Sequence, residues 1–179
     1  MEKINSLTGM TDLIETKADE NVLANKVFQT EKILKEIFTN YAMSEIRTPA
    51  LENTNLFKRS VGDTSDIVNK ELYTFSDKND KSITLRPEGT ASVMRSIIEK
   101  KLDGETHKLW YLGPMWRYER PQKGRYRQFN QAGIEILGYP EGAPEFEMIS
   151  LICEINRKLQ IRKPLIKINH LGDSNTKKL

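Results

Sequence analysis

The sequence predicts an α+β fold in which helices flank a mostly antiparallel β-sheet. Apolar and polar residues alternate along two arms within residues 110–137, on either side of a short basic turn. This period of two is typical of paired strands joined as a hairpin. Apolar residues within 22–41 recur instead at three- and four-residue steps, and this spacing predicts an amphipathic helix.

Residues 43–51 follow this helix and are predicted to form an extended edge strand. The segment contains Pro49, and proline has no amide hydrogen to donate at a central position in a sheet. The hydrophobic pattern alone indicates only a packing role for this helix and this strand. Further along, Gly62 and Asp63 predict a turn within residues 55–65.

Two short runs rich in β-forming residues, 72–75 and 83–85, predict a second hairpin across a polar turn. The second run leads into the sequence RPEGT at 86–90 and then into a predicted helix at 91–101. Ordinary capping would explain this junction, with Thr90 as the helix N-cap and a glycine at the bend.

The C-terminal part predicts one more helix and a strand. Pro144 suits the first turn of a helix. Apolar residues then repeat and predict a wide buried face, formed by Phe146, Met148, Ile149, Ile152, Cys153, Ile155 and Leu159. Cys153 is the only cysteine and is interpreted as a core residue without a disulfide. Residues 165–171 predict a strand, and residues 172–174 predict a further turn.

The composition excludes several classes of protein. The 179 residues are 37% hydrophobic and 30% charged, which is enough for one domain with a sizeable core. The sequence lacks a long apolar run and a signal-peptide pattern, so we expect a cytoplasmic protein without a membrane span. His107 and His170 stand alone, and no metal site made of protein side chains is predicted.

The positive charge of the chain is concentrated in one loop. Residues 117–127 hold five cations and one anion, a local charge of +4, whereas the formal charge of the whole chain is +3. Such a concentration indicates binding of a polyphosphate or of a nucleic-acid end, and not the coating of an extended acidic surface.

One face of the second arm carries polar groups around an aromatic residue and a glycine. Side chains alternate along a strand, so every second residue shares this face. These residues are Arg127, Phe129, Gln131, Gly133 and Glu135. A strand face exposed to water is the plain alternative. A glycine weakens a strand unless something must approach its backbone closely, so the pattern favours a binding face.

The run RYERPQKGRYRQFNQAGIEILG at 117–138 resembles motif 2 of the class II aminoacyl-tRNA synthetases. Its sequence is similar to motif 2 of the bacterial histidyl-tRNA synthetases in particular. The resemblance implies that residues 1–179 are the N-terminal portion of a class II catalytic domain. Motif 1 would span about 22–51, the histidine-binding loop 86–90, and motif 2 about 110–137. Motif 3 and the anticodon-binding domain are absent, so we expect this chain alone to be a fragment inactive in aminoacylation.

Two further positions bear on the resemblance. The sequence GMTD at 9–12 resembles the N-terminal G-x-x-D signature of the family, without the proline-rich stop that often follows it. Asn130 stands where the family commonly has His. Because Asn130 is predicted to lie on the opposite face of the strand, we expect this difference to have little consequence.

The resemblance implies a histidine site between the 86–90 loop and the polar face of the second arm. Glu88 would bind the ammonium group of histidine through a charge-assisted hydrogen bond. Glu135 would accept a hydrogen bond from the imidazole of histidine. An apolar analogue would leave Glu135 unpaired, so rejection would be large without editing. The residues implied for histidine binding are Glu88, Gly89, Thr90, Arg117, Gln131 and Glu135.

The resemblance also implies an ATP site. Arg117 would be the catalytic residue at the α-phosphate, and Phe129 would stack on the adenine. Glu119 would lie near the exocyclic amine, and Arg125 and Tyr126 near the outer phosphates. With Mg²⁺ bound to ATP, the histidine carboxylate would attack the α-phosphorus to give histidyl-adenylate and pyrophosphate.

The remaining implied partners are a tRNA and a second copy of the chain. Arg120 and Gln122, at the tip of the basic loop, would contact the acceptor end of tRNA(His), to which the histidine is transferred. Pro49 matches the proline of motif 1, which implies a homodimer interface.

Two other functions compete with the synthetase. One is the histidine-binding regulatory subunit of ATP phosphoribosyltransferase, a synthetase-like protein that binds histidine without activating it. Such proteins usually have a degraded motif 2 loop, whereas RPQKGRYRQF is intact here. The other is an RNA-binding module that uses the basic loop, and it would leave Glu88 and Glu135 unexplained beside a polyanion.

Overall fold

A computed structural model describes residues 3–15, 22–62, 67–140, 142–161 and 165–169. Four α-helices, six strands and a π-helical turn at Ile67–Glu71 lie in these ranges. The helices are α1 (Val22–Asn40), α2 (Thr54–Val61), α3 (Thr90–Glu99) and α4 (Ala143–Lys158). The strands are β1 (Ser44–Glu45), β2 (Leu51–Asn53), β3 (Thr74–Ser76), β4 (Ser82–Leu85), β5 (His107–Trp116) and β6 (Gln128–Leu137).

These strands form two three-stranded sheets. One has the order β1-β5-β6 and the other has the order β2-β4-β3. β1 pairs with β5 in parallel, and the three other pairs are antiparallel. The predicted α+β class with mostly antiparallel strands is confirmed, although the strands are divided between two sheets instead of forming one.

The long hairpin of β5 and β6 has helices packed on both faces. On one face, Phe38 of α1 packs on Trp110 of β5, with ring centroids 5.3 Å apart, and Leu151 of α4 joins the same buried cluster. On the other face, Val93 of α3 packs in a second cluster with Tyr111 of β5. Burial of these apolar side chains stabilises the layers, so the hairpin is the scaffold that supports the predicted binding face.

The predicted edge strand at 43–51 is divided into two short strands. β1 lies at the edge of one sheet and β2 at the edge of the other. Pro49 lies between them, outside both ladders, as expected for a residue that cannot donate a backbone hydrogen bond. The chain therefore passes from one sheet to the other at the proline.

Residues 54–61 form helix α2, where the sequence predicted only a turn. The Oδ1 atom of Asn53 caps this helix by accepting from the amide of Asn55 at 2.9 Å. The helix ends at Gly62, whose φ of 91° favours glycine. The turn predicted at Gly62 and Asp63 falls partly outside the described residues, and an eight-residue helix is too short for a clear periodic pattern. Asp63 lies outside the described residues.

Helix α4 is confirmed, but its predicted wide buried face is wrong. Leu151 is buried, whereas Phe146 is 74% exposed and Ile152 is 45% exposed. Cys153 is exposed as well, so its interpretation as a core residue is wrong. Leu151 is the only buried residue among the described residues of this helix, so the apolar repeat is wider than the surface that covers it.

The last described segment, residues 165–169, contains no strand, so the strand predicted at 165–171 is wrong over these residues. Residues 170–174 lie outside the part of the chain that the structure describes. Within the described ranges, no helix is long and apolar enough to cross a membrane.

Candidate active site

The predicted binding face of β6 lies on the side of the hairpin that α3 covers. Gly133 pairs with β5, and Gln131 and Glu135 lie two residues away on either side, on the same face. Asn130 lies on the opposite face, where its side chain donates to Glu31 of α1 at 2.9 Å. The predicted division of the strand into two faces is therefore confirmed.

Glu88, in the 86–90 loop, caps helix α3. Its carboxylate oxygens accept from the amide of Thr90 at 2.6 Å and from the amide of Ala91 at 3.0 Å. The N-cap residue is Gly89, and the helix begins at Thr90, so the interpretation of Thr90 as the N-cap is wrong. The exposed amides of a helix start favour a negative charge, and they hold this carboxylate in one orientation.

The freed hydroxyl of Thr90 joins the loop to the strand. Thr90 Oγ1 donates to Glu135 Oε1 at 2.7 Å. Gln131 lies two residues before Gly133 on the same face, and its Oε1 atom is buried without a hydrogen-bond partner among the described residues. A buried acceptor without a partner costs free energy, so an incoming N–H group would be favoured here. The structure thus brings Glu88, Thr90 and Glu135 together, and with Gln131, on the same strand face as Glu135, these residues are called the polar cluster.

The electrostatics of this polar cluster favour a cationic ligand. Burial raises the pKa of the Glu135 carboxyl, the hydrogen bond from Thr90 opposes the rise, and the negative charge of Glu88 adds to it. The carboxylates of Glu88 and Glu135 therefore lie close enough to repel each other. A ligand with a positive charge or with N–H donors would relieve their repulsion, and a histidine molecule carries both.

Tyr111 explains the glycines at 89 and 133. A Cβ atom at Gly133 would lie 2.2 Å from Cζ of Tyr111, and one at Gly89 would lie 2.3 Å from the same atom. Gly133 was interpreted as leaving room for a close approach to the backbone, and the group that approaches is this tyrosine ring. Sequence reasoning missed Tyr111 because it occupies an ordinary core position of a strand, although the two glycines were a signal.

Arg117, at the end of β5, lies between the loop and the aromatic residue predicted to hold adenine. Its Nε donates to the carbonyl of Pro87 at 2.9 Å, and its guanidinium carbon lies 5.2 Å from the centre of the Phe129 ring. The arginine predicted to contact both substrates is therefore held beside the 86–90 loop and beside Phe129.

Arg86 is a second residue that sequence reasoning missed. Its Nη1 donates to the carbonyl of Thr48 at 2.7 Å, and its Nε donates to the carbonyl of Pro114 at 3.1 Å. Its backbone amide donates to the carbonyl of Ala50, so Arg86 binds both neighbours of Pro49. Burial lowers the pKa of this guanidinium. No pattern of spacing distinguishes such an internal arginine from one that binds a ligand.

The tip of the basic loop is arranged differently. Gln122 and Arg125 form a tight reversal through two backbone hydrogen bonds, with Gly124 at a φ of 83°. Arg125 also pairs with Glu119 at 3.2 Å, but its side chain remains 63% exposed. Tyr126 is 45% exposed, and Arg120 is also exposed. Backbone hydrogen bonds therefore stabilise the tip, and none of the described contacts joins its cations to the polar cluster.

The base of the basic loop is anchored by the N-terminal segment. The carbonyl of Gly9 accepts from the amides of Arg127 and Gln128, at 2.8 and 3.1 Å. Gly9 has a φ of 80°, and a Cβ atom there would lie 2.9 Å from Cγ of Arg127. The glycine of the G-x-x-D signature therefore permits close docking of this segment onto the start of β6.

A groove of about 1010 Å³ extends from the polar cluster between α2 and α3. Glu88 and Thr90 are among its lining residues, together with apolar side chains of both helices, whereas Gln131 and Glu135 do not line it. The groove therefore lies beside the cluster. In the part of the chain that the structure describes, no group of three or more His, Cys, Asp or Glu side chains is placed to hold a metal ion.

Sequence comparison connects this geometry to known proteins. A family profile described as histidyl-tRNA synthetase matches residues 20–173. The chain is 46% identical over 176 residues to the histidine–tRNA ligase of Prochlorococcus marinus (strain MIT 9515), and the alignment covers 98% of this chain and 40% of that protein. The chain therefore spans about two fifths of the length of this curated relative.

Structural comparison gives the same result. The apo histidyl-tRNA synthetase of S. aureus matches with a TM-score of 0.71 and 38% identity, over 89% of this chain and 36% of that chain. An ATP phosphoribosyltransferase regulatory subunit/histidyl-tRNA synthetase from Bacillus halodurans C matches with a TM-score of 0.70 and 21% identity, over 89% of this chain and 40% of that chain. The second likeness shows the fold alone. Because the family profile matches most of the sequence, the chain belongs to the histidyl-tRNA synthetase family.

Proposed function

We propose that the complete protein containing this chain activates L-histidine with ATP and transfers it to the 3′ end of tRNA(His), as a histidine–tRNA ligase. The observation that carries the proposal is the hydrogen bond from Thr90 to Glu135. This contact joins the RPEGT loop to the polar face of β6, the two parts expected to enclose histidine. Membership of the family supports the same assignment.

In this proposal the histidine ammonium binds near Glu88, Thr90 and Gln131. Each Glu88 oxygen accepts one backbone amide, and a carboxylate oxygen has a further lone pair for the ammonium. The Thr90 hydroxyl donates a hydrogen bond to Glu135, and its oxygen can still accept one. One Glu135 oxygen is engaged in this way, and the other accepts from the imidazole.

ATP binds on the other side of Arg117, in a bent form. The adenine stacks on Phe129 and the α-phosphate meets the guanidinium of Arg117, whose 5.2 Å separation from the ring supports adjacent sites for the two groups. Glu119 lies near the adenine amine, and Arg125 and Tyr126 lie near the outer phosphates. Magnesium arrives with the phosphates as part of the substrate and neutralises their charge.

The reaction is an in-line displacement. A carboxylate oxygen of histidine attacks the α-phosphorus, a new P–O bond forms, and pyrophosphate leaves. Arg117 stabilises the negative charge that develops at the phosphorus, an effect worth about 3 kcal/mol for one preorganised donor. A ribose hydroxyl at the 3′ end of the tRNA then attacks the carbonyl of histidyl-adenylate, and AMP leaves.

The other parts of the proposal concern partners and domain organisation. Arg120 and Gln122 contact the acceptor end of the tRNA, and Pro49 contributes to a homodimer interface. The chain forms the front of the catalytic domain, with motif 1 at 22–51 and motif 2 at 110–137, in a protein that acts in the cytoplasm.

Exchange of ³²P-pyrophosphate into ATP tests the proposal directly. The product of the complete reading frame is assayed with each of the twenty amino acids in turn. We expect exchange with histidine and with no other amino acid. Histidine binding without exchange would identify a regulatory histidine sensor instead, and neither exchange nor binding would contradict both assignments.

A further inference from the structure

Tyr111 reaches the polar cluster through a gap between two glycines. A Cβ atom at Gly133 would lie 2.3 Å from the Tyr111 hydroxyl oxygen, and one at Gly89 would lie 2.8 Å from it. The two missing Cβ atoms are on opposite edges of the ring, because the one at Gly133 would lie 2.7 Å from Cε1 and the one at Gly89 would lie 2.3 Å from Cε2. One glycine comes from the histidine loop and the other from β6, so the hydroxyl end of the ring passes between the loop and the strand.

Packing explains the ring of Tyr111 but not its hydroxyl group. The side chain is 7% exposed and contributes to the core cluster beside α3, a role that phenylalanine would also fill. The hydroxyl instead lies beside Gly89, the residue that precedes Thr90 in the loop, and beside Gly133 of β6, and the negative charges of Glu135 and Glu88 act on it. Burial raises the pKa of Tyr111, so the group keeps its proton and can donate it.

We propose that Tyr111 is a positioning residue for the histidine site, and that its hydroxyl orients the Thr90 hydroxyl toward Glu135. In the proposed chain of hydrogen bonds, Tyr111 donates to Thr90 Oγ1. Thr90 Oγ1 in turn donates to Glu135 Oε1 at the observed distance of 2.7 Å. This chain fixes the directions in which Thr90 and Glu135 accept hydrogen bonds from a ligand. The inference rests on the proposed function, because it names the residue that aligns two of the proposed histidine ligands.

The first experiment compares the wild-type protein with Tyr111→Phe, both made from the complete reading frame. In histidine-dependent pyrophosphate exchange, the variant is expected to raise the KM for histidine about tenfold, the loss typical of one well-placed hydrogen bond. The KM for ATP and kcat are expected to change less than twofold. A purely structural role would instead leave the KM for histidine unchanged, or would lower the apparent kcat with both substrates together with Tm.

Tyr41→Phe is the matched control. Tyr41 is also a tyrosine whose pKa is raised by burial and by a nearby carboxylate, that of Glu154, but it packs against the core cluster on the opposite face of the hairpin. This variant is expected to leave the KM for histidine unchanged. If both tyrosine variants raise that KM equally, the effect is general destabilisation and the proposal is overturned.

A double-mutant cycle shows whether Tyr111 acts through Thr90. Thr90→Val is expected to raise the KM for histidine on its own, and adding Tyr111→Phe is expected to raise it less than twofold further. In the Thr90→Ser background, which keeps the hydroxyl, Tyr111→Phe keeps its full effect. Additive losses in the valine background would overturn the proposed chain, because residues that act through one another show non-additive effects.

Calorimetry separates this inference from the proposed function. If the wild-type protein binds histidine without exchange, the synthetase proposal fails, and Tyr111→Phe is still expected to weaken binding about tenfold. If wild-type exchange is normal and both KM and binding are unchanged in Tyr111→Phe, only the Tyr111 inference fails.

Discussion

The 86–90 loop, which we propose binds histidine and call the histidine loop, and the basic tip at 119–126 hold their charged groups in opposite ways. In the histidine loop, Arg86 makes side-chain hydrogen bonds to Thr48 and Pro114, and both oxygens of Glu88 accept backbone amides. At the basic tip, Arg125 is 63% exposed and has a single ion pair. The same chain therefore fixes one set of charges and leaves the other in solvent.

Under the proposed function, this difference corresponds to two kinds of recognition. A small amino acid is selected by a few hydrogen bonds, so the groups that make them gain from being held before the ligand arrives. Phosphates attract cations over longer distances and tolerate variable geometry. Substitutions in the histidine loop and in β6 should therefore affect histidine sharply, and substitutions at the basic tip should have smaller, salt-dependent effects.

The largest expected effect is that of Glu135→Ala. Removing the carboxylate is expected to lower kcat/KM for histidine about 1,000-fold, because the imidazole loses its acceptor in a partly buried site. The KM for ATP should change less than threefold. Pyrophosphate exchange at varied histidine and varied ATP measures both values. Glu31→Ala, which removes a carboxylate on the opposite face, is the control, and equal losses for both substrates would refute the role of Glu135.

Arg117→Ala tests the residue between the two regions. We expect a loss of about 100-fold in kcat, since one preorganised donor at the transferring phosphorus is lost. Arg117→Lys should recover only part of this loss, because lysine keeps the charge but not the planar fork. Single-turnover formation of the adenylate measures the step. A lysine variant with full activity would show that charge alone is sufficient, and Arg157→Ala on α4 controls for loss of a surface cation.

Arg86→Ala tests whether the histidine loop depends on its anchor. Two backbone carbonyls lose their donor, so the free energy of unfolding is expected to fall by about 2 kcal/mol, which corresponds to a Tm lower by roughly 6 °C for a domain of this size. Histidine binding should weaken as well. Arg47→Ala removes an exposed arginine with one surface ion pair and should change Tm by less than 2 °C. Equal shifts in the two variants would contradict the anchoring role.

The sequence predicted the elements that depend on local pattern. The two hairpins, α1, α3 and α4 follow from periods of two and of 3.6 residues, and the binding face of β6 follows from its alternation. The sequence did not predict which side chains contact these residues in the folded chain. Gly133 was correctly interpreted as permitting a close approach, but the approaching group, Tyr111, is 22 positions earlier in the chain and meets it only through the hairpin register.

The errors have the same origin. Cys153 and Ile152 continue an apolar repeat, yet the structure exposes both, because periodicity shows which residues share a face and not whether another element covers it. Thr90 is a common N-cap type, but the N-cap position falls one residue earlier, at Gly89. The carboxylate of Glu88 accepts from the amides of Thr90 and Ala91, and the threonine hydroxyl donates to Glu135. Competition between two capping groups is decided by tertiary contacts.

Arg120→Ala tests the basic tip and is expected to have a small effect. Pyrophosphate exchange should change less than twofold, because the residue is exposed and lies outside the proposed histidine and ATP contacts. The KM for tRNA(His) should rise about threefold, and its dependence on salt should weaken by about one charge. Aminoacylation at two salt concentrations measures this. A large loss in exchange would contradict the separation of the two regions.

The smallest expected effect concerns the free energy of unfolding, which the partly buried charge of Glu135 lowers in the wild-type protein. Burial raises the folded-state pKa of Glu135, so between its ordinary and its raised pKa the folded state binds more protons than the unfolded state. Stability therefore falls as pH rises through that window, and the loss persists above it. Glu135→Gln keeps an acceptor for Thr90 without the charge. Urea unfolding at pH 4 and pH 8 should show the variant gaining stability relative to wild type at the higher pH, even though it loses histidine activation, whereas a pH-independent difference would contradict a charged, partly buried Glu135.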